Sequence, residues 1–218
     1  DAPADSASLM AALAEAPPER LPLAKYLTAY CAIPEEARAK IETRWGQPES
    51  DPLFDASTAA FEVNFHRYGN ASVGVQPSRG YELDPDETHH DPALPPPHGY
   101  LAFYIWLREA FSAHAAIHFG KHGNMEWLPG KALALSAACF PEAVFGAVPH
   151  IYPFIVNDPG EGAQAKRRSA AVIIDHLTPP MARAGAEGRL GQIEALADEY
   201  FAAAGMDRRR LKPIADKI

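Results

Sequence analysis

This chain of 218 residues has few cysteines, no long apolar run and no excess of positive charge. Cys31 and Cys139 are its two cysteines and no CxxC pair exists, which excludes a zinc-finger or thioredoxin-type site. No stretch reaches the roughly 18 consecutive apolar residues that a membrane-spanning helix needs. The 20 Lys and Arg residues face 28 Asp and Glu residues, giving a net charge of −8. This charge disfavours a nucleic-acid binder that works through a general basic field.

A nucleotide-binding P-loop is absent as well. Gly123, Gly130 and Lys131 resemble part of one, but the motif is G-x-x-x-x-G-K followed by Ser or Thr. Here six residues separate the two glycines and Ala132 follows the lysine. No signal peptide is visible, and the few cysteines favour a reducing cytoplasm. The first residue is Asp1 rather than Met, so we expect a processed product or a fragment of a longer protein.

Local patterns predict an α/β fold with an N-terminal helical segment, parallel-type strand–loop–helix units and C-terminal helices. We assign residues 1–58 to a mostly structural helical segment and residues 59–218 to an α/β catalytic-region domain. The predicted helices cover 6–15, 22–32, 34–45, 100–111, about 163–176, 188–205 and a last segment ending at residue 218. The predicted strands cover 61–65 and 71–75, as a hairpin, and the apolar runs 115–119 and 151–156.

The stretch 114–131 concentrates ionisable residues where a predicted strand ends. His118, His122 and Glu126 follow one another at intervals of four residues, and nearby glycines argue against a regular helix. In open α/β sheets ligands bind at the carboxyl ends of strands. Imidazole and carboxylate are ligands for Co, Ni and Zn and serve as general bases near neutral pH. We therefore predict that these three residues are catalytic groups and metal ligands, and that His114 is structural.

Two further clusters can supply substrate-binding donors. Gln76 and Arg79 lie in a polar turn after a predicted strand, although an ordinary exposed turn explains them equally well. Lys166, Arg167 and Arg168 fall in the first two turns of the helix predicted from residue 163, where the helix dipole disfavours cations. That placement suggests a basic cluster for carboxylates or phosphates, with a solvated basic face as the equal alternative.

Two long motifs carry a resemblance to the large subunits of cobaltochelatases (CobN type) and of the homologous magnesium chelatases. They are HFGKHGNMEWLPGK at 118–131 and PHIYPFIVNDPGEGAQAKRRSAAVIIDHLTPP at 149–180. The segments 73–85 and 96–107 fit the same family, so the resemblance covers at least residues 70–205. Trp127 and Leu128 favour the cobalt branch.

The resemblance implies a tetrapyrrole-binding, metal-inserting subunit of an ATP-dependent cobaltochelatase, or a fragment of one. Such an enzyme is a ligase that forms nitrogen–metal bonds and inserts Co²⁺ into hydrogenobyrinic acid a,c-diamide in cobalamin biosynthesis. Co²⁺ is then a substrate, and ATP with Mg²⁺ belongs to AAA+ ATPase partner subunits rather than to this chain. We expect a cytoplasmic multi-subunit complex without nucleic acid or a membrane span. Family large subunits are far longer, so a fragment of the catalytic region is expected.

The resemblance also suggests roles for the residues. Glu126 is the expected base for the pyrrole N–H protons, while His118 and His122 are expected to hold Co²⁺ or relay protons. The expected substrate-binding groups are Gln76, Arg79, Lys131, Asn157, Glu161, Lys166, Arg167 and Arg168.

Three alternatives stay open at this point. The first is a magnesium chelatase large subunit acting on protoporphyrin IX. The second is a metal-dependent hydrolase with His118, His122 and Glu126 as zinc ligands, although the spacing departs from HExxH and glycines interrupt the helix that this motif requires. The third is a non-catalytic module that docks the ATPase subunits or only binds the tetrapyrrole.

Overall fold

The computed structural model describes residues 17–81, 91, 93–119, 123–153, 159–174, 188–206 and 210–217. The chain divides into two units, Asp1–His176 and Leu177–Ile218. The helix predicted over residues 6–15 lies outside the described residues. Among those that are described, no helix is both long and apolar enough to cross a membrane.

Two helices and an antiparallel sheet form the beginning of the first unit. They are β1 (Glu19–Pro22), α1 (Leu23–Cys31), α2 (Glu35–Trp45), β2 (Phe54–Asp55) and β3 (Ala60–Val63). The helices predicted over 22–32 and 34–45 are confirmed, and each follows a proline, which fixes the backbone angle at the helix start. β3 pairs with β1 on one side and β2 on the other. A sheet therefore crosses the boundary that was predicted after residue 58.

The predicted hairpin forms with a shifted first strand. β4 (Phe65–Tyr68) pairs antiparallel with β5 (Ala71–Gly74), and Gly69 takes a φ of +60° in the connecting turn. The prediction placed the first strand at 61–65. Most of those residues belong instead to β3 in the other sheet, because their apolar side chains are buried there.

One helix occupies the centre of the first unit. α3 (His98–Ile105) is buried along its whole length and continues as a π-helical segment, Trp106–Ala110. Phe65 stacks on Phe103 and on Trp106 with ring centroids 4.2 and 4.4 Å apart. The buried aromatic helix predicted over 100–111 is confirmed, and its side chains form a large part of the main hydrophobic core of the first unit.

A parallel sheet follows α3 and confirms the α/β class. β6 (Ala116–Ile117), β7 (His150–Pro153) and β8 (Val172–Ile174) lie in the order β6-β7-β8, with both pairs parallel. α4 (Phe140–Phe145) precedes β7, and α5 (Pro159–Arg168) connects β7 to β8.

The helix predicted over about 163–176 is wrong in its second half. α5 ends at Arg168. The Ser169 hydroxyl donates to Ala165 O at 2.7 Å, and Ala170 adopts a φ of +50°, so the backbone leaves the helix. The β-branched run Val172–Ile174 then forms β8.

The two faces of the parallel sheet differ in burial. Ala116, His150 and Tyr152 are buried on the inner face. On the outer face Ile117 and Val172 are 61% and 62% exposed. Side chains alternate between the faces of a strand, so a polar residue on the inner face is delivered to the interior beside α3.

The second unit contains two described helices, α6 (Arg189–Met206) and α7 (Leu211–Ala215). The helix predicted over 188–205 is confirmed, while Ile193 on its predicted apolar face is 43% exposed. Among the described side chains of this unit, those of Ala203 and Ile214 are buried, each under 5% exposed.

The buried carboxylate of Asp51 connects the segment before β2 to Tyr81 and to the start of α3. Asp51 accepts hydrogen bonds of 2.9 Å from Leu53 N, Gly99 N and the Tyr81 hydroxyl.

The Asp51→Asn variant should lose about 2–3 kcal/mol of unfolding free energy, because its NH₂ group cannot accept from a buried N–H. Urea denaturation measures this loss. Glu36→Gln, the same carboxylate-to-amide change at an exposed position of α2, is the control and should lose clearly less; equal losses would contradict the assignment.

Candidate functional site

A short turn carries Glu126 into the interior. Met125–Trp127 forms a 3₁₀ turn between β6 and α4, closed by bonds of 3.2 Å from Trp127 N to Asn124 O and from Leu128 N to Met125 O. The side chains of Met125 and Leu128 are fully buried, and Glu126 between them is 0% exposed. Two apolar anchors therefore hold a carboxylate inside the protein, where it must find polar partners.

Tyr152 on β7 supplies one partner of the Glu126 carboxylate. Its hydroxyl donates to Glu126 Oε1 at 3.2 Å and accepts the Gly123 N–H at 2.7 Å. A methyl group added at Gly123 would lie 3.3 Å from Glu126 Oε2, so a glycine there leaves room for the carboxylate. The absence of a side chain at this residue therefore allows the close approach of backbone and carboxylate.

His118 and His150 lie side by side on the inner face of the parallel sheet. Their ring centroids are 4.5 Å apart. His118 Nε2 is joined to the Tyr104 hydroxyl at 3.1 Å, and His150 Nδ1 is joined to the Ser169 hydroxyl at 3.0 Å. Within the described part of the chain, His118 Nδ1 and His150 Nε2 have no hydrogen-bond partner.

Both imidazoles are held neutral. Burial, and secondly the neighbouring His150, lowers the pKa of His118 to about 3. Burial also lowers the pKa of His150. A neutral imidazole is the form that binds a metal ion or accepts a proton, so neither ring has to lose a proton at neutral pH before it does so.

A polar network on α3 links the histidines to the Glu126 turn. Gln76 Nε2 donates to Tyr104 OH at 2.6 Å and to Tyr100 OH at 3.2 Å. Gln76 Oε1 accepts Asn124 N at 3.2 Å, and Tyr100 OH donates to Asn124 Oδ1 at 2.6 Å. Gln76 thus connects α3 to the turn, and its predicted role in substrate binding stays a prediction.

Arg168 at the end of α5 lies against the same turn. Its Nη1, Nη2 and Nε donate to the backbone oxygens of Glu126, Leu128 and Lys131 at 2.6, 2.7 and 3.1 Å. Lys166, Arg167 and Arg168 occupy the last turn of α5 and not its first two turns. The predicted conflict with the helix dipole is therefore wrong, because cations stabilise a helix C-terminus.

The remaining predicted site residues have different surroundings. Lys131, Lys166 and Arg167 are exposed. Arg79 is fully buried, and its Nη2 donates to Asp91 O at 2.9 Å and Leu94 O at 3.3 Å. These contacts stabilise the backbone at Asp91 and Leu94. The described residues do not include His122 or Asn157, nor the side chain of Glu161; their predicted roles stay predictions.

Several residues that shape the site were missed by sequence reasoning. Tyr100 and Tyr104 were assigned to the core, although their spacing of four residues places both hydroxyls on one face of the helix. His150 and Tyr152 alternate on β7, which was a usable signal for a shared face. Asn124 carries no distinguishing pattern of its own.

The described groups combine proton-accepting and cation-binding chemistry. A buried carboxylate, neutral imidazoles and tyrosine hydroxyls share one interior region. Across the described residues, no group of three or more His, Cys, Asp and Glu side chains is placed to hold a metal ion. The predicted third ligand, His122, falls in the part that is not described.

Comparison with known proteins gives consistent family matches. The profile of the CobN/Magnesium Chelatase family matches residues 2–218. The aerobic cobaltochelatase subunit CobN of a Sinorhizobium species is 58% identical over 200 residues, and that of Pseudomonas aeruginosa is 54% identical over 200 residues. In both cases the match covers 92% of this chain and 16% of the relative.

Magnesium chelatases and a solved structure also match. A magnesium-chelatase subunit of Chlorobaculum parvum is 41% identical over 165 residues, which are 75% of this chain and 13% of that protein. The catalytic subunit of cobaltochelatase from Mycobacterium tuberculosis superposes with a TM-score of 0.72 at 42% identity. That superposition covers 100% of this chain and 20% of the solved chain. The chain thus spans a small part of the length of these relatives.

The lowered pKa of His118 predicts a pH dependence of stability. The unfolded chain takes up a proton near the ordinary value of 6.5 while the folded chain does so at about 3. The unfolding free energy should therefore fall as the pH drops from 6.5 towards 3, by up to about 1.4 kcal/mol per pH unit for this group. Above pH 6.5 the His118 ring is neutral in both the folded and the unfolded chain, so it causes no loss of unfolding free energy there.

The His118→Gln variant tests this dependence, because glutamine does not titrate. Its unfolding free energy, measured by urea denaturation between pH 4 and 8, should depend less steeply on pH than that of the wild type. The exposed residue His114 provides the control variant His114→Gln, which should keep the wild-type slope. Identical slopes for all three proteins would contradict the assignment.

Proposed function

The chain belongs to the CobN/magnesium chelatase family, and from that premise we propose that it forms part of the tetrapyrrole-binding, metal-inserting region of a cobaltochelatase large subunit. The proposed reaction inserts Co²⁺ into hydrogenobyrinic acid a,c-diamide during cobalamin biosynthesis. The identity to the two CobN proteins, 58% and 54%, is higher than the 41% identity to the magnesium-chelatase relative, which supports the cobalt branch.

The observation that carries the proposal is the buried Glu126 carboxylate with its oriented partner. Metal insertion must remove pyrrole N–H protons, and a carboxylate held in the interior can accept a proton without competing water. Tyr152 fixes one carboxylate oxygen, so the group has a defined direction. We assign Glu126 the role of the base in the proposed reaction.

The neutral histidines supply the second half of the proposed chemistry. The incoming Co²⁺ must exchange water ligands for protein or tetrapyrrole nitrogens, and imidazole is a suitable ligand for this borderline metal. Burial lowers the pKa of His118 and keeps its ring neutral, so it can bind the cation substrate or pass a proton onward. His122 shares this proposed role on the grounds of its sequence position.

Exposed cations are the proposed anchors for the substrate's carboxylates. Lys131, Lys166 and Arg167 are exposed near the ends of the Glu126 turn and α5. Ammonium and guanidinium groups bind carboxylates through charge-assisted hydrogen bonds. Asn157 and Glu161 stay proposed members of the same cleft on sequence grounds.

ATP hydrolysis is proposed to occur on partner subunits. The sequence lacks a P-loop, which is consistent with a division of labour in which AAA+ ATPase subunits bind ATP and Mg²⁺. The chain itself is then a substrate-handling component of a multi-subunit ligase.

The Glu126→Gln variant tests the proposal. Glutamine keeps the size and an acceptor for Tyr152 but cannot accept a proton at neutral pH. In the full-length subunit assembled with its ATPase partners, cobalt insertion should slow about 10²–10⁴-fold, the usual contribution of a general base. The dissociation constant for hydrogenobyrinic acid a,c-diamide, from a spectroscopic titration, should change less than about threefold, since proton transfer to the base occurs in the transition state rather than in the bound ground state.

Glu36→Gln, at an exposed position of α2, is the matched control and should retain wild-type insertion. A Glu126→Gln subunit with full activity would overturn the assignment of the base. Protoporphyrin IX with Mg²⁺ is the competing substrate pair, because magnesium-chelatase proteins also match the chain. Preference for that pair would place the protein in the magnesium branch instead.

A further inference from the structure

Arg168 stands apart from the other basic residues at the end of α5. Its neighbours Lys166 and Arg167 are exposed, whereas Arg168 is partly buried. The Nη1, Nη2 and Nε atoms of its guanidinium group donate to the backbone oxygens of Glu126, Leu128 and Lys131, which belong to one segment. The longest of these three bonds is 3.1 Å.

The segment that Arg168 contacts has few backbone bonds of its own. Two bonds close the 3₁₀ turn, from Trp127 N and Leu128 N. A short turn of this kind is weakly stabilised by itself, and its carbonyl groups need donors from outside when they are partly buried. A planar guanidinium group can satisfy several carbonyls at once in a fixed geometry.

The main chain and the side chain of Glu126 are therefore held by different elements. Arg168, from the end of α5, binds the Glu126 backbone oxygen at 2.6 Å. Tyr152, from β7, donates to the Glu126 carboxylate at 3.2 Å. Because α5 follows β7 in the same parallel unit, the unit contacts both the main chain and the side chain of this residue.

We propose that Arg168 is a positioning residue that holds the Glu126 turn through its backbone, and that it does not serve as a binding group for substrate carboxylates. The inference rests on the proposed role of Glu126 for its catalytic part. Its structural part, the ordering of residues 123–131 by the guanidinium group, is independent of the reaction.

The same three contacts predict what each substitution removes. Arg168→Ala removes all three donors and leaves three carbonyls without them. Arg168→Lys keeps the charge but offers a single ammonium group, which cannot reproduce the planar fork. Arg167→Ala removes a charge at the adjacent, exposed position and is the matched control for the exchange measurement alone, because Arg167 is itself a proposed anchor for the substrate.

Hydrogen–deuterium exchange of the peptide spanning residues 123–131 measures the structural part. In the full-length subunit carrying Arg168→Ala, amides of this peptide should exchange at least tenfold faster than in the wild type. Arg168→Lys should lie between the two, and Arg167→Ala should match the wild type. The thermal unfolding midpoint of each variant shows whether the fold persists, and Arg168→Lys provides the comparison if the alanine variant does not fold.

Insertion kinetics with the ATPase partners measure the catalytic part. The turnover number of Arg168→Ala should fall at least tenfold, while the dissociation constant for hydrogenobyrinic acid a,c-diamide should stay within about threefold, because a misplaced base affects the transition state more than binding. Unchanged exchange in the alanine and lysine variants would overturn the proposal. So would a tenfold weaker binding of the tetrapyrrole with unchanged turnover, which is the signature of a substrate anchor.

The two proposals fail in different ways. If Glu126→Gln inserts cobalt normally, the proposed base is wrong, yet faster exchange in Arg168→Ala would still establish the ordering of the turn. If exchange is unchanged but Glu126→Gln is inactive, the base stands and the positioning role of Arg168 falls.

Discussion

Burial of the Glu126 carboxyl group is the constraint on which the rest of the site depends. A fully buried carboxylate is costly unless oriented donors replace its water. The sequence cannot satisfy this locally, because the turn around Glu126 is short and flanked by apolar anchors, Met125 and Leu128. A donor to the carboxylate, the Tyr152 hydroxyl, arrives from β7 elsewhere in the chain, and Arg168 at the end of α5 donates to the backbone oxygen of the same residue.

The aromatic helix α3 serves two purposes for the same physical reason. A tyrosine ring packs in the core while its hydroxyl keeps a polar end. Tyr100 and Tyr104 are buried with the rest of α3, yet their hydroxyls reach Gln76, Asn124 and His118. The helix that forms the core of the first unit thereby also fixes the distance between the Glu126 turn and the histidine that follows β6.

The basic cluster shows how a small error in an element boundary changes a functional interpretation. With the helix assumed to start at about residue 163, Lys166–Arg168 fell near its N-terminus and their charges looked misplaced. The actual helix starts at Pro159 and ends at Arg168. The same charges therefore lie at its C-terminus, where the helix dipole favours cations. The propensities of the run Ala170–Ile174 do not reveal the stop, because it depends on the Ser169 hydroxyl and on the positive φ of Ala170.

The sequence by itself determined the α/β class, the buried aromatic helix, the strand before the ionisable stretch and the family to which the residues point, because these follow from periodicity and from long local motifs. It also predicted a shared site for His118 and Glu126, whose functional roles stay predictions. Only the tertiary structure decided that Tyr152 and Arg168 hold the Glu126 turn, that His150 lies beside His118, and that Arg79 is interior. These contacts join residues far apart in the chain, and their geometry depends on strand register and helix ends, which no local pattern specifies.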